Sequence, residues 1–134
     1  MTYTMTVNTT PVPKGRPRFY GGHAVTPEKT RVYEALLRHD WPHGIVQGDA
    51  LKISMAFAFP PPTSLSKRKQ DAMMYMLRTK KPDLDNLVKA VLDALNGVAF
   101  DDDSKVAEIF AQKLYAPEPY VEVKISSYDQ GGIG

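Results

Sequence analysis

Hydrophobic and polar positions repeat with two different periods along this chain of 134 residues. From Leu51 to Phe59 the period is two, with Leu51, Ile53, Met55, Phe57 and Phe59 on one side, which predicts a half-buried strand. Tyr3, Met5 and Val7, separated by threonines, predict a shorter strand of the same kind. Val106 to Leu114 and Tyr120 to Ile125 predict two more, with Ala116-Pro117-Glu118-Pro119 as the turn between them. From Leu84 to Leu95 the period is helical. Leu84, Leu87, Val88, Val91, Leu92 and Leu95 form an apolar stripe, and Asn96-Gly97 closes the helix with a residue suited to the left-handed conformation.

Two further helices are predicted. Thr26-Pro27-Glu28 supplies a hydroxyl cap, a proline for the first helical position and an acid at the positive dipole end. That helix runs to about Asp40, puts Val32, Ala35, Leu36 and His39 on one stripe, and stops at Trp41-Pro42. Ser66 caps the other, which runs through about Leu77 with Ala72, Met73, Met76 and Leu77 spaced as core residues. The stretch from Thr9 to His23, with three prolines and three glycines, reads as a loop without regular structure. The fold class expected is α+β, a small mixed or antiparallel sheet packed with helices. It forms one domain over residues 1–128, with 129–134 as a flexible tail.

Composition narrows the setting. Hydrophobic residues make up 43% and charged residues 24%, ordinary proportions for a chain that buries a core. No apolar run is long enough for a membrane span, and the first residues lack the pattern of a signal peptide. The absence of cysteine excludes disulfides and thiolate metal sites. A cytoplasmic protein is the expectation.

Charge adds more, because it is segregated. Residues 66–81 carry six bases (Lys67, Arg68, Lys69, Arg78, Lys80, Lys81) and one acid, whereas residues 82–108 carry seven acids and two bases. A third basic block, Lys14, Arg16 and Arg18, lies beside Phe19 and Tyr20. Cations next to aromatic rings suit phosphate gripping and base stacking. Lys67-Arg68-Lys69 at a helix start also opposes the helix dipole, so a phosphate partner gives those cations a purpose that helix stability does not. His39 and His43 straddle a helix end with Asp40 as their one acidic neighbour and read as surface or packing residues.

The candidate chemistry lies in KPDLDNLVKAVLDALNGVAFDDDSK, residues 81–105. It holds Asp83, Asp85, Asp93, Asp101, Asp102 and Asp103, six of the fifteen acids in the chain. Crowded carboxylates repel one another unless a cation lies between them. Oxygen donors without histidine or cysteine favour Mg²⁺ or Mn²⁺ over zinc. Lys89 lies one helical turn after Asp85, within reach of the same ligands. A helix of some eleven residues spans roughly 16 Å. The short segment after Gly97 has to retrace that length, as a reverse strand through Val98-Ala99-Phe100, for the aspartate row to join Asp83 and Asp85. At ~3.4 Å per extended residue it is just long enough.

These residues resemble the RusA family of Holliday-junction resolvases. The resemblance rests on Asp83-Leu84-Asp85-Asn86, on Lys89, on Asp93-Ala94-Leu95, and on paired aspartates before Lys105-Val106. Outside this motif the PVPKGRPRF loop, the Thr-Pro helix start, the basic helix and the closing strands fit more loosely. The resemblance implies a homodimeric endonuclease that binds four-way DNA junctions in recombination and repair and nicks two opposing strands with Mg²⁺. Carried over by position, the catalytic residues are Asp83, Asp85, Lys89 and Asp103. The metal ligands come from Asp83, Asp85, Asp102 and Asp103, with either of the last two able to close the site. DNA contacts are expected from Lys14, Arg16, Arg18, Lys67, Arg68, Lys69, Lys80 and Lys81. The readings set against this one are a junction-binding protein without catalysis and a nucleotide-sugar transferase, for which the chain is too short.

Overall fold

A computed structural model describes residues 1–15, 18–20, 23–25 and 27–129, the side chains of 18–20 and 23–25 excepted. Its centre is the clearest alternating stretch of the sequence. Strand β4 (Ala50–Phe59) buries Leu51, Ile53, Met55 and Phe57 on one face. It pairs antiparallel with β6 (Tyr120–Tyr128), which pairs antiparallel in turn with β1 (Thr2–Val7). On its other side β4 runs parallel to β5 (Val106–Tyr115), so the sheet is mixed, in the order β1-β6-β4-β5.

The registers line up core side chains in rows across the sheet. Val7, Val121 and Phe57 form one row, and Met5, Val123 and Met55 the next. Each strand places every second side chain on this face, so the rows build a continuous apolar floor. Helices α1 (Glu28–Asp40) and α3 (Leu84–Leu95) join this core. From α3, Leu87, Ala90, Val91, Ala94 and Leu95 are fully buried, as the apolar stripe requires, and each leucine contributes about 2 kcal/mol by leaving water. Gly97 has φ +80° and donates its N–H to the Phe100 carbonyl at 2.8 Å, ending the helix as its sequence predicts.

Several expectations are corrected. Helix α1 buries Thr30, Tyr33, Glu34 and Leu37, while Val32 is 63% exposed and His39 lies in solvent. Two of the buried positions are polar, so hydrophobicity alone selects the wrong face. The N-cap of α1 is Pro27, without a side-chain cap, and Thr26 lies outside the described residues. Helix α2 (Lys67–Met73) is capped by Ser66 as predicted, but it ends four residues early and buries nothing. Met76 and Leu77 are exposed in a segment that lies along β5, with the Tyr115 N–H donating to the Met76 carbonyl and the Arg78 N–H to the Lys113 carbonyl. Within the proline- and glycine-rich stretch, Arg18–Tyr20 (β2) and His23–Val25 (β3) form a two-stranded hairpin. Strands β5 and β6, although consecutive, lie on opposite sides of β4. Of the expected tail at 129–134, all but residue 129 lies outside the described residues.

The face of α1 is directly testable by urea denaturation. Leu37→Ala should lower the unfolding free energy by about 3 kcal/mol, and Val32→Ala by about 0.5 kcal/mol or less. Equal losses would mean that the helix is turned differently.

Candidate metal centre

Asp83 is the N-cap of α3 in extended conformation, and Asp85 lies in the first turn. Both carboxylates are exposed, while Leu84 between them is half-buried against the core. Each has a local partner. Asp83 pairs with the Lys81 ammonium at 3.0 Å, and Asp85 Oδ1 accepts the Asn86 backbone N–H at 2.9 Å. Lys89 is exposed one turn further along α3. The next acid of the motif has a different partner. Asp93 turns towards Lys14, whose Nζ lies 2.7 Å from Glu34 Oε1 and 3.1 Å from Asp93 Oδ2.

The aspartate row does not join Asp83 and Asp85 within one chain. Val98 and Ala99 do not form a reverse strand; both donate their N–H groups to the Leu95 carbonyl, so the segment after Gly97 closes as a compact turn at the far end of α3. Asp101, Asp102 and Asp103 follow there, with Asp103–Lys105 forming a single 3-10 turn before β5 starts at Val106. The chain returns along α3 only through β5 itself. Lys113 near the end of β5 meets the loop before Asp83, donating to the Pro82 carbonyl. Seven residues of strand at ~3.3 Å each therefore put the row roughly 20 Å from Asp83. Consistent with this, no group of three acidic or histidine side chains among the described residues is placed to hold a metal ion. Within the row, Ser104 donates to Asp102 Oδ2 at 2.7 Å, and that bond holds the Asp102 carboxyl below its usual pKa. Asp101 pairs with Lys105.

The basic residues separate into two groups. Lys67, Arg68, Lys69, Lys80 and Lys81 are exposed, Lys67 beside Asp71 one turn along α2. Lys14, predicted to face DNA, is instead committed to the interior. Its ammonium bridges α1 and α3, its backbone N–H donates to the Asn86 carbonyl, and Gly15 N–H donates to Thr30 Oγ1. Glu34 on α1 faces that ammonium, so a buried acid and a half-buried base explain one another. Arg16 lies outside the described residues, and Arg18 is described only in its backbone, on β2. Two predicted surface residues behave as such: His39 is exposed, and His43 donates from Nε2 to the Thr4 carbonyl at 2.9 Å.

One residue near the pair escaped the sequence reading. Lys113 Nζ donates to the Lys80 carbonyl at 2.7 Å and the Pro82 carbonyl at 2.8 Å. Burial lowers its pKa, as do Arg78 and Lys81, and Asp83 opposes them. The signal available in the sequence was parity. Lys113 stands two residues after Ala111, on the side of β5 that faces the helices, where an apolar residue is expected.

Two comparisons bear on this arrangement. The family model described as "Endodeoxyribonuclease RusA" matches residues 8–126. The chain belongs to the RusA endodeoxyribonuclease family. The match takes in the acidic motif, the basic residues from Lys14 to Lys81 and three strands of the mixed sheet, β4, β5 and β6 up to Ser126, while β1 lies before it. The chain is also similar to a protein of Bacillus subtilis (strain 168) called "Uncharacterized protein YqaN", 39% identical over 132 residues, covering 90% of this chain and 92% of that protein. Its printed name carries no activity. No helix among the described residues is long and apolar enough to cross a membrane.

The Lys14 bridge yields a stability prediction with a definite pH dependence. Lys14→Met should cost about 2 kcal/mol, the usual size for losing hydrogen bonds to charged groups. Burial alone would lower the Lys14 pKa, but Glu34 and Asp93 outweigh it and raise the value above its ordinary 10.5. A raised lysine pKa stabilises the fold fully below the unfolded value and loses that contribution as pH climbs through the folded value. The difference between wild type and Lys14→Met in chemical denaturation should thus be constant from pH 7 to 9 and shrink above about pH 10.5. Burial of Tyr33 also penalises alkaline pH, but equally in both proteins, so it cancels.

Proposed function

We propose that this protein is a Mg²⁺-dependent, structure-specific endonuclease that resolves four-way DNA junctions by paired nicks in opposing strands, acting in the cytoplasm in DNA recombination and repair. The observation that carries the reading is the Asp83–Asp85 pair at the mouth of α3, whose opposite face is pure core, with Lys89 one turn on and exposed cations from α2 and the 80–81 loop on the same protein. Membership of an endodeoxyribonuclease family supports it.

Oxygen-only donors fit Mg²⁺, with Mn²⁺ as a substitute. Asp83 and Asp85 would hold the ion together with Asp102 or Asp103, and the ion when bound supplies charge stabilisation and nucleophile activation for phosphodiester hydrolysis. Lys89 then faces the scissile phosphate and offsets charge that builds there. Lys67, Arg68, Lys69, Lys80 and Lys81, with Arg16 and Arg18 of the proline- and glycine-rich stretch, would follow the phosphate backbones of the junction arms.

The reading extends to a homodimer. Two acidic halves roughly 20 Å apart in one chain make a complete ligand set only when another copy delivers its row. The Tyr75–Arg78 segment covers the edge of β5 at Lys113 and Tyr115, and the bonds it makes there show that odd-numbered residues point their backbone groups outward. Ile109 and Ala111 do the same by alternation, with no partner among the described residues, and Ile109 and Phe110 are 47% and 56% exposed. Antiparallel pairing of two such edges about a two-fold axis near Ile109 brings the start of one β5 to the end of the other. That is where Lys113 meets the Asp83 loop, so the aspartate row of one copy would arrive at Asp83 and Asp85 of its mate.

A synthetic four-way junction tests the activity. Wild type should nick two opposing strands in Mg²⁺ and neither in EDTA, and Asp85→Asn should slow nicking by roughly a hundredfold or more while still binding the junction in a gel-shift assay. Binding without cleavage in Mg²⁺ or Mn²⁺ would leave a junction-binding protein. The pairing surface is tested separately by sedimentation velocity. Ile109→Pro removes an outward N–H that β4 does not use, so the chain should fold as a monomer and lose nicking. A stable Ile109→Pro dimer would place the interface elsewhere.

A further inference from the structure

The Asp83 carboxylate stands on a backbone held from both sides. Downstream, its carbonyl accepts the Leu87 N–H at 3.2 Å and so belongs to the first turn of α3. Upstream, the peptide plane that contains the Pro82 carbonyl also contains the Asp83 nitrogen and Cα, because the peptide bond is planar. The Lys113 ammonium grips that carbonyl at 2.8 Å and the Lys80 carbonyl at 2.7 Å. An ammonium has three donors, and two of them are spent on one loop. Lys113 in turn is anchored in the sheet, since its own carbonyl accepts the Arg78 N–H at 2.9 Å and its strand pairs along its length with β4.

From this we infer that Lys113 is a positioning residue for the metal centre: its ammonium, reaching from β5 to the carbonyls of Lys80 and Pro82, sets where Asp83 stands relative to Asp85. Asp85 is placed by α3 alone, whereas Asp83 is placed where α3 meets the loop, so the spacing of the two carboxylates depends on the loop being tied down. This inference rests on the metal reading of Asp83 and Asp85. It differs from a simple electrostatic role for Lys113 in the sign of its consequence. A nearby cation that only adds positive charge weakens binding of a divalent ion, so its removal would tighten binding. A cation that holds the ligand-bearing loop strengthens binding, and its removal loosens it.

The experiment is titration of the full-length protein with Mn²⁺ alone, without DNA, following the loss of the free-ion electron paramagnetic resonance signal. Lys113→Met should bind Mn²⁺ about tenfold or more weakly, the usual effect of losing a group that orients a metal ligand. Lys113→Arg, which keeps both charge and donors, should recover most of the affinity. In junction-nicking kinetics Lys113→Met should lower kcat with KM little changed, since the DNA-facing cations are untouched. Circular dichroism establishes that each variant is folded. Should Lys113→Met not fold, Lys113→Gln takes its place, with the same expected weakening. Mn²⁺ affinity equal to or tighter than wild type in the folded variant overturns the role of Lys113 alone. A wild type that does not bind Mn²⁺ overturns the metal reading and this inference with it.

Discussion

Parallel neighbours in a sheet cannot be joined by a tight turn, and that constraint organises this molecule. Strands β4 and β5 lie side by side and point the same way, so the chain between them must travel back to its starting end before β5 can begin. Helix α3 makes that journey. Because its stripe of leucines, valines and alanines is seated on the sheet, its two ends are fixed at opposite limits of β5. The acidic residues at its mouth and those beyond its exit are therefore held apart by the same packing that stabilises the fold. Whatever chemistry they share has to be assembled across that separation.

The parts of this arrangement that could be read from sequence are those where one kind of contact decides. Strand β4 is buried on one face by apolar neighbours alone, so its alternation was unambiguous. The same holds for α3, where every inward position is hydrophobic. Helix α1 was misread because its inward face includes Thr30 and Glu34, and those residues are buried only because Gly15 and Lys14 arrive from a distant loop to satisfy them. The stretch after Met73 was misread for a different reason. Its methionines and leucine have helical spacing, yet Tyr75, with φ +64°, turns the chain out of the helix and along β5. Short apolar runs do not declare their period.

The candidate site shows the same division. The local half of the motif, Asp83, Asp85 and Lys89, was legible because its geometry is that of one helix end. The relation of that half to the aspartate row was not. Chain length permitted a reverse strand after Gly97, but two N–H groups closing on Leu95 use that length for a turn instead. Lys113 is easily overlooked because a lysine in an alternating strand is ordinarily taken for a solvent-facing residue; its parity hints otherwise, but only the fold shows the two carbonyls it holds. Lys14 erred in the opposite sense. A cation among glycines, prolines and arginines looks like part of a DNA-facing loop, while the fold gives it two carboxylates.

The strap formed by Tyr75–Arg78 has a consequence for how the sheet can grow. A sheet has two borders, and an unguarded border recruits further strands without limit, the route by which β-proteins polymerise. Here one border, β1, has its Thr4 carbonyl already claimed by His43. The other, β5, is closed along its final residues by the strap and open along the rest. A strand that docks in the open part consumes it and finds no continuation beyond. For the homodimer proposed above, this limits growth at the β5 border to a single docked copy.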